Sequence, residues 1–277
     1  MLKNNNITTG VAAPVTVHGL IEKKTRGEKI VALTAYDATF ARLIDEGGAD
    51  LILVGDSLGM VIQGYETTLP VTIDDMVYHT RAASRGVKRA LLVADMPFMT
   101  YQASVERAML NAARCIKEGG ASAVKLEGGE EIVATVKKLV ASGIPVMGHV
   151  GMQPQKVRAY GGFGIQGRDS TEAKQILRDA EAIADAGAFS IVLEKIPRAL
   201  AARITKAIAI PTIGIASGVG CDGQILVSYD MFGLSDQYKF RFVRKYLNLA
   251  DDVRTAVGKY RDDIQAESYP SDAESYE

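Results

Sequence analysis

Eight short runs rich in valine, isoleucine and leucine punctuate the chain: "KIVALTA" from Lys29, "ADLILVGD" from Ala49, "ALLVADM" from Ala90, "SAVKLEG" from Ser122, "PVMGHVG" from Pro145, "FSIVLEK" from Phe189, "PTIGIAS" from Pro211 and "ILVSYDMF" from Ile225. Each has the length and near-continuous apolarity of a strand buried on both faces. Segments of helical period lie between most of them. In "SVERAMLNAARCIKEGG", Val105, Ala108, Met109, Ala112, Cys115 and Ile116 share one face, Ser104 is placed to cap the start, and Gly119 follows the end. In "EEIVATVKKLVASG", Ile132, Val133, Val136, Leu139 and Val140 form the stripe, and Gly143 closes it. Strands alternating with helices are parallel crossovers, and eight of them in 277 residues predict a single (β/α)8 barrel of the α/β class.

The barrel strands are expected between residues 29 and 232, with a short helix beneath the barrel before Ile30. "LSDQYKFRFVRKYLNLADDVRTAVGKYRDDIQ" is expected to give C-terminal amphipathic helices over 234–266, with Tyr238, Phe240, Phe242 and Tyr246 to bury, and the tail 270–277 is expected to be disordered. The whole chain, 1–277, reads as one domain.

Thirty-two lysines and arginines balance 33 aspartates and glutamates without any basic run, which argues against nucleic acid or anionic lipid as partner and for small-molecule substrates. Two cysteines, one on a helix face and one in a glycine-rich loop, make no disulfide framework and fit a reducing cytoplasm. The first twenty residues, interrupted by Pro14 and His18, are too polar for a secretory signal and too short to span a membrane.

In a barrel of this kind chemistry gathers at the C-terminal ends of the strands. Asp56 ends the second run, Asp95 the third, Glu127 the fourth, His149 the fifth and Glu194 the sixth. Side chains two apart share a strand face, so Lys125 is expected to point the same way as Glu127, Val93 as Asp95, and Val192 as Glu194, all inward. Any one such acid is commonly just a helix cap. Four carboxylates on one rim repel unless a cation or protons separate them. Oxygen donors with one histidine favour a hard ion, and a few carboxylates that leave room for water and substrate suit magnesium. Magnesium beside Lys125 would receive an α-keto acid and stabilise its enolate.

Two glycine-rich segments carry less. "GGFGIQG" contains G-x-G-x-x-G at Gly162, Gly164 and Gly167, but it lies in a long loop past the fifth strand with no strand-ending acid at the required distance; a lid, or simply a flexible surface loop, fits better than a dinucleotide fingerprint. "ASGVGCDGQ", Ala216 to Gln224, joins strands seven and eight, where many barrels hold phosphate, so a phosphorylated substrate stays open on fold grounds.

The strand ends also carry a resemblance. "TAYD" from Thr34, "VGDSLGM" from Val54, "TLPVT" from Thr68, "ADMPFM" from Ala94, "VKLEGG" from Val124, "GHVG" from Gly148, "GGFGIQGR" from Gly161, "LEKIP" from Leu193 and "DGQILV" from Asp222 together closely resemble the ketopantoate hydroxymethyltransferase family, in its order and spacing from about Val15 to Pro270. The resemblance implies magnesium-dependent transfer of a hydroxymethyl group from 5,10-methylenetetrahydrofolate to 3-methyl-2-oxobutanoate (α-ketoisovalerate), giving ketopantoate for pantothenate synthesis. It further implies metal ligands at Asp56, Asp95 and Glu127, keto acid contacts at Asp56, Ser57, Asp95 and Lys125, a proton acceptor at Glu194, His149 as a further substrate contact, and a homo-oligomer, a decamer of two five-membered rings. "LEKIP" departs from relatives by placing Lys195 next to the base, and alternation turns Lys195 outward. Two rivals remain at this point: a magnesium-dependent carbon-carbon lyase or mutase acting on a pyruvate-like acid, and a non-catalytic barrel whose acids only cap helices.

Overall fold

Alternation along the strands sorts the apolar side chains into two cores. In the computed structural model, which describes residues 13–236 and 240–277, the strands are β1 Ile30–Thr34, β2 Leu51–Val54, β3 Leu91–Asp95, β4 Ala123–Lys125, β5 Val146–Gly151, β6 Ser190–Glu194, β7 Thr212–Ile215 and β8 Gly223–Leu226. They pair in parallel in chain order and close into a barrel, with the Ile30 amide donating to the Asp222 carbonyl at 3.0 Å across the seam. Ile30 and Ala32, Leu51 and Leu53, Leu91 and Val93, Ala123, Met147, Val192, Ile213 and Ile225 fill the interior. Their neighbours Ala94, Val124, Val150, Ile191 and Leu193 face the surrounding helices. Each fully buried Val, Leu or Ile contributes about 1.5–3 kcal/mol relative to exposure, so both faces of the sheet drive closure.

One end of the barrel is plugged. Thr16 caps the helix Val17–Arg26 by accepting from the Gly19 amide at 3.0 Å, and Leu20 of that helix packs with Ile30, Leu51 and Leu91, each at the first position of its strand. The polar residues at this end serve the plug itself: buried Asp50, just before β2, pairs with Lys23 of the helix at 2.9 Å. The outer helices follow their sequence signals. Ser104 caps Val105–Lys117, which buries Ala108, Ala112 and Cys115, and a 3-10 turn Glu130–Ile132 leads into Val133–Ala141, with Ile132, Val136 and Leu139 buried.

The described residues divide into two compact units, one ending at Ile225 and the other beginning at Leu226. In the second, the expected pair of amphipathic helices is one long helix, Leu249–Gln265, preceded by the four-residue helix Ser228–Met231. Residues 240–248 are turns and irregular chain, and Tyr238 lies outside the described residues. Phe240 and Phe242 stack on each other at 5.5 Å rather than lining a helix face, and Phe240 and Tyr246 remain exposed. The tail holds a 3-10 turn, Asp272–Glu274, because Ser271 and Glu274 form a reciprocal capping box; composition alone hid this local pairing. Among the described residues no helix is long and apolar enough to cross a membrane.

Candidate active site

The free rim carries a continuous chain of charged side chains from β2 to β6. Asp95 is the last residue of β3 and stands in register with Lys125, the last of β4. The Lys125 ammonium donates to both Asp95 oxygens at 2.7 Å and lies 3.8 Å from Glu127. Glu127 is 3.5 Å from Nδ1 of His149, whose Nε2 is 3.4 Å from Glu194. At the other end, the Asp56 amide donates to Asp95 at 3.3 Å. Asp56, Asp95, Lys125, Glu127 and His149 are all buried; only Glu194 keeps access, its side chain 18% exposed. The expected placement needs small corrections, since Asp56 and Glu127 sit two residues past their strands and His149 two residues before the end of β5. Glu127 keeps the interior phase of Ala123 and Lys125, whereas Asp56 has the phase opposite to the inward Leu51 and Leu53 and comes to Asp95 through the turn that follows β2.

Ser57, the next residue after Asp56, has its hydroxyl 2.9 Å from the phenol of buried Tyr36 in the "TAYD" motif. At β5, Gly151 is the one residue type that fits: its φ is +95°, and a Cβ there would stand 2.4 Å from the Glu194 carbonyl oxygen. That carbonyl also accepts the Met152 amide at 2.9 Å, so the "GHVG" turn fixes the backbone that carries Glu194.

The electrostatics follow from burial and proximity. Burial, reinforced by the charges of Asp95 and Glu127, pushes the Asp56 carboxyl well above its usual range, and burial also raises Asp95 despite the opposing pull of Lys125. For Glu127 burial is outweighed by His149 and Lys125, which hold it below the ordinary value. Burial and the Lys125 charge push His149 down, but its contacts with Glu127 and Glu194 win, and it rises to about 9. Lys125 stays firmly cationic because three carboxylates outweigh its desolvation. Negative charge is in excess.

Among the described residues, no group of three or more His, Cys, Asp or Glu side chains forms a ready metal cage. Magnesium needs no such cage: it takes one or two protein carboxylates and completes its shell with water and substrate oxygens. The donor set here is all oxygen, Glu127 Oε1 is buried without a hydrogen-bond partner, and the raised Asp56 carboxyl marks where positive charge is short. The residues present therefore fit such an ion.

The sequence reading missed Gln155, on the 3-10 turn Pro154–Lys156, and Tyr101, which join Asp56 to Glu127 by hydrogen bonds. A buried glutamine in a loop carries no periodic signal; only the tertiary fold brings it to the rim. The glycine-rich loop is tied to β6: the Lys195 ammonium donates to the Phe163 carbonyl at 2.8 Å, and the Gln166 amide to the Lys195 carbonyl at 3.0 Å. Lys195 thus turns away from Glu194, as alternation required. Between β7 and β8, Ser217 donates to the Leu193 carbonyl at 2.8 Å and binds that loop to the same strand end.

Comparison with known proteins bears on this geometry. Residues 14–272 match the family described as ketopantoate hydroxymethyltransferase. The chain is 52% identical over 274 residues to a 3-methyl-2-oxobutanoate hydroxymethyltransferase of Syntrophus aciditrophicus, covering 99% of this chain and 98% of the relative. It is 53% identical over 263 residues to one of Magnetococcus marinus, covering 95% and 98%. Among solved structures, 2,3-dimethylmalate lyase, a PEP mutase/isocitrate lyase superfamily member, shares the fold with a TM-score of 0.61 at 15% identity, over 89% of this chain and 88% of that one.

Proposed function

The chain belongs to the ketopantoate hydroxymethyltransferase family and transfers a hydroxymethyl group to form ketopantoate in pantothenate biosynthesis; we propose that the rim from Asp56 to Glu194 does this with magnesium and 5,10-methylenetetrahydrofolate. The lyase or mutase reading loses its support, because relatives about half identical across the whole chain carry the hydroxymethyltransferase name. One observation carries the assignment of roles: a buried ammonium and a partly exposed carboxylate, Lys125 and Glu194, lie on one rim, joined through Glu127 and His149.

Asp56 and Asp95 would hold the ion, with Glu127 completing the oxygen set. The ion, when bound, polarises the keto acid as a Lewis acid. Ser57 and His149 line the place of 3-methyl-2-oxobutanoate, and Lys125 sets fixed positive charge where the ketone oxygen gains negative charge. Glu194 takes the proton from the methine carbon beside the ketone. The resulting carbon nucleophile attacks the one-carbon unit delivered by the folate, and water supplies the oxygen of the hydroxymethyl group as tetrahydrofolate leaves. Burial of Asp56, Asp95, Lys125 and Glu127 keeps bulk water from the charged end, while the exposed side of Glu194 faces the incoming co-substrate.

Asp56 binds the ion as a carboxylate, yet burial raises its affinity for a proton. Raising the pH removes that proton, so magnesium binding should tighten with pH and release protons. Calorimetric titration in two buffers of different ionisation enthalpy should give different heats; identical heats and a pH-independent affinity would count against Asp56 as a ligand.

We place the protein in the cytoplasm, where its free, buried Cys115 and Cys221 suit a reducing medium. We also propose a homo-oligomer, with the decamer as the assembly the resemblance implies. Val253, Val257, Tyr260 and Ile264 recur at helical spacing along Leu249–Gln265 and are each about half exposed, an apolar stripe of the kind that is covered by another subunit. Light scattering should return a multiple of the 29.7 kDa chain mass; a monomer at working concentration would refute the proposal.

A further inference from the structure

Gln155 lies at the centre of the rim although it is neither charged nor on a strand. It is buried, and its side-chain amide is fully used. Nε2 donates to Asp56 Oδ2 and to the Met96 carbonyl, both at 2.9 Å; Oε1 faces the Tyr101 hydroxyl at 2.8 Å and Nε2 of Gln102 at 2.9 Å. Two donor hydrogens meet two acceptors, and the oxygen faces the Gln102 amide and the Tyr101 hydroxyl, whose one hydrogen is shared with the Glu127 carbonyl. A flipped amide would set oxygen against the Asp56 carboxylate and the Met96 carbonyl, so the network itself fixes the orientation. The Gln155 backbone amide adds a bond to Glu127 Oε2 at 3.1 Å. One residue thus touches two of the carboxylates assigned to the ion.

Its own support is equally specific. Tyr101 is buried; its hydroxyl accepts the Glu127 amide at 3.0 Å and lies 2.8 Å from both the Glu127 carbonyl and Gln155 Oε1. Burial, then the charge of Glu127, keeps that phenol protonated and able to donate.

We propose that Gln155 is a positioning residue that holds the Asp56 carboxylate in the orientation that meets the ion, and that Tyr101 in turn holds Gln155. The proposal rests on the magnesium reading above. Asp56 follows its strand on a short turn, so without a donor opposite it the carboxylate has other rotamers to visit, and two neighbouring acids, Asp95 and Glu127, to repel it from the ligating one. Fixing it in advance removes that cost from the binding step.

The test measures free Mn²⁺ by electron paramagnetic resonance as the ion is added, without substrate, to the wild type, Gln155→Met and Tyr101→Phe, with melting curves on each. Gln155→Met keeps the volume and removes all four hydrogen bonds. It should bind the ion about 10- to 100-fold more weakly while unfolding cooperatively. Tyr101→Phe should show a smaller loss, and the double variant no more than Gln155→Met alone, because both act through one chain of bonds. Should Gln155→Met fail to fold, Tyr101→Phe carries the test. A folded Gln155→Met with wild-type affinity, or a wild-type Tyr101→Phe where only that variant folds, overturns the positioning role and leaves the magnesium reading intact. A wild type that binds neither Mn²⁺ nor Mg²⁺ overturns both.

Discussion

Glu194→Gln should lower turnover by about 10² to 10⁴ while leaving magnesium and keto acid binding near the wild-type level. The substitution keeps the shape and removes the basicity. Asp56, Asp95, Glu127 and Lys125 are untouched, and Glu194 stands apart from the Lys125–Asp95 pair, reaching it only through His149 and Glu127. Because the proton comes off carbon before the folate reacts, exchange of the methine hydrogen for deuterium should fall in parallel with turnover. Proton NMR of the methine signal in heavy water, with magnesium and 3-methyl-2-oxobutanoate but no folate, follows that step. A Gln variant that exchanges at the wild-type rate while making no ketopantoate would move Glu194 to the folate step and leave His149 as the next base to test.

Asp95→Ala should abolish activity and also destabilise the fold by about 3–5 kcal/mol. A strand-end acid whose only business is a metal ion could be removed with little effect on folding. Asp95 is not such a residue, because both its oxygens take the ammonium of a lysine as deeply buried as itself, and truncation strands that charge with Glu127 at 3.8 Å. The double substitution Asp95→Ala with Lys125→Met removes the stranded charge. It should recover most of the lost stability in urea titrations and none of the activity. Recovery of activity would show that Asp95 and Lys125 are dispensable for the chemistry, and an Asp95→Ala variant as stable as the wild type would show that their pairing does not hold the fold.

The barrel was readable because buried parallel strands write themselves as unbroken apolar runs, and the inward set was readable because alternation has a period of two. That logic placed Asp95, Lys125 and Glu194 on the interior face, and Lys195 away from it. It could not supply Gln155 or Tyr101, whose place depends on how the loops after β3 and β5 fold back over the rim. Nor could it show that Asp95 is committed to Lys125, since a distance between side chains on neighbouring strands is a tertiary fact. In the C-terminal segment the helical period of 249–265 was legible, but the aromatics at Phe240, Phe242 and Tyr246 suggested a second helix where the chain instead makes turns. Aromatic residues signal surface to be covered, and leave open whether a helix, a turn or another subunit covers it.

Ketopantoate formation from 3-methyl-2-oxobutanoate by the purified protein, with 5,10-methylenetetrahydrofolate and magnesium supplied together and each withheld in turn, measures the proposed chemistry directly. Product should appear with both, vanish without the folate, and vanish with a chelator and return on adding magnesium. Ketopantoate formed without the folate, or formed at full rate in chelator, would contradict a magnesium- and folate-dependent transfer.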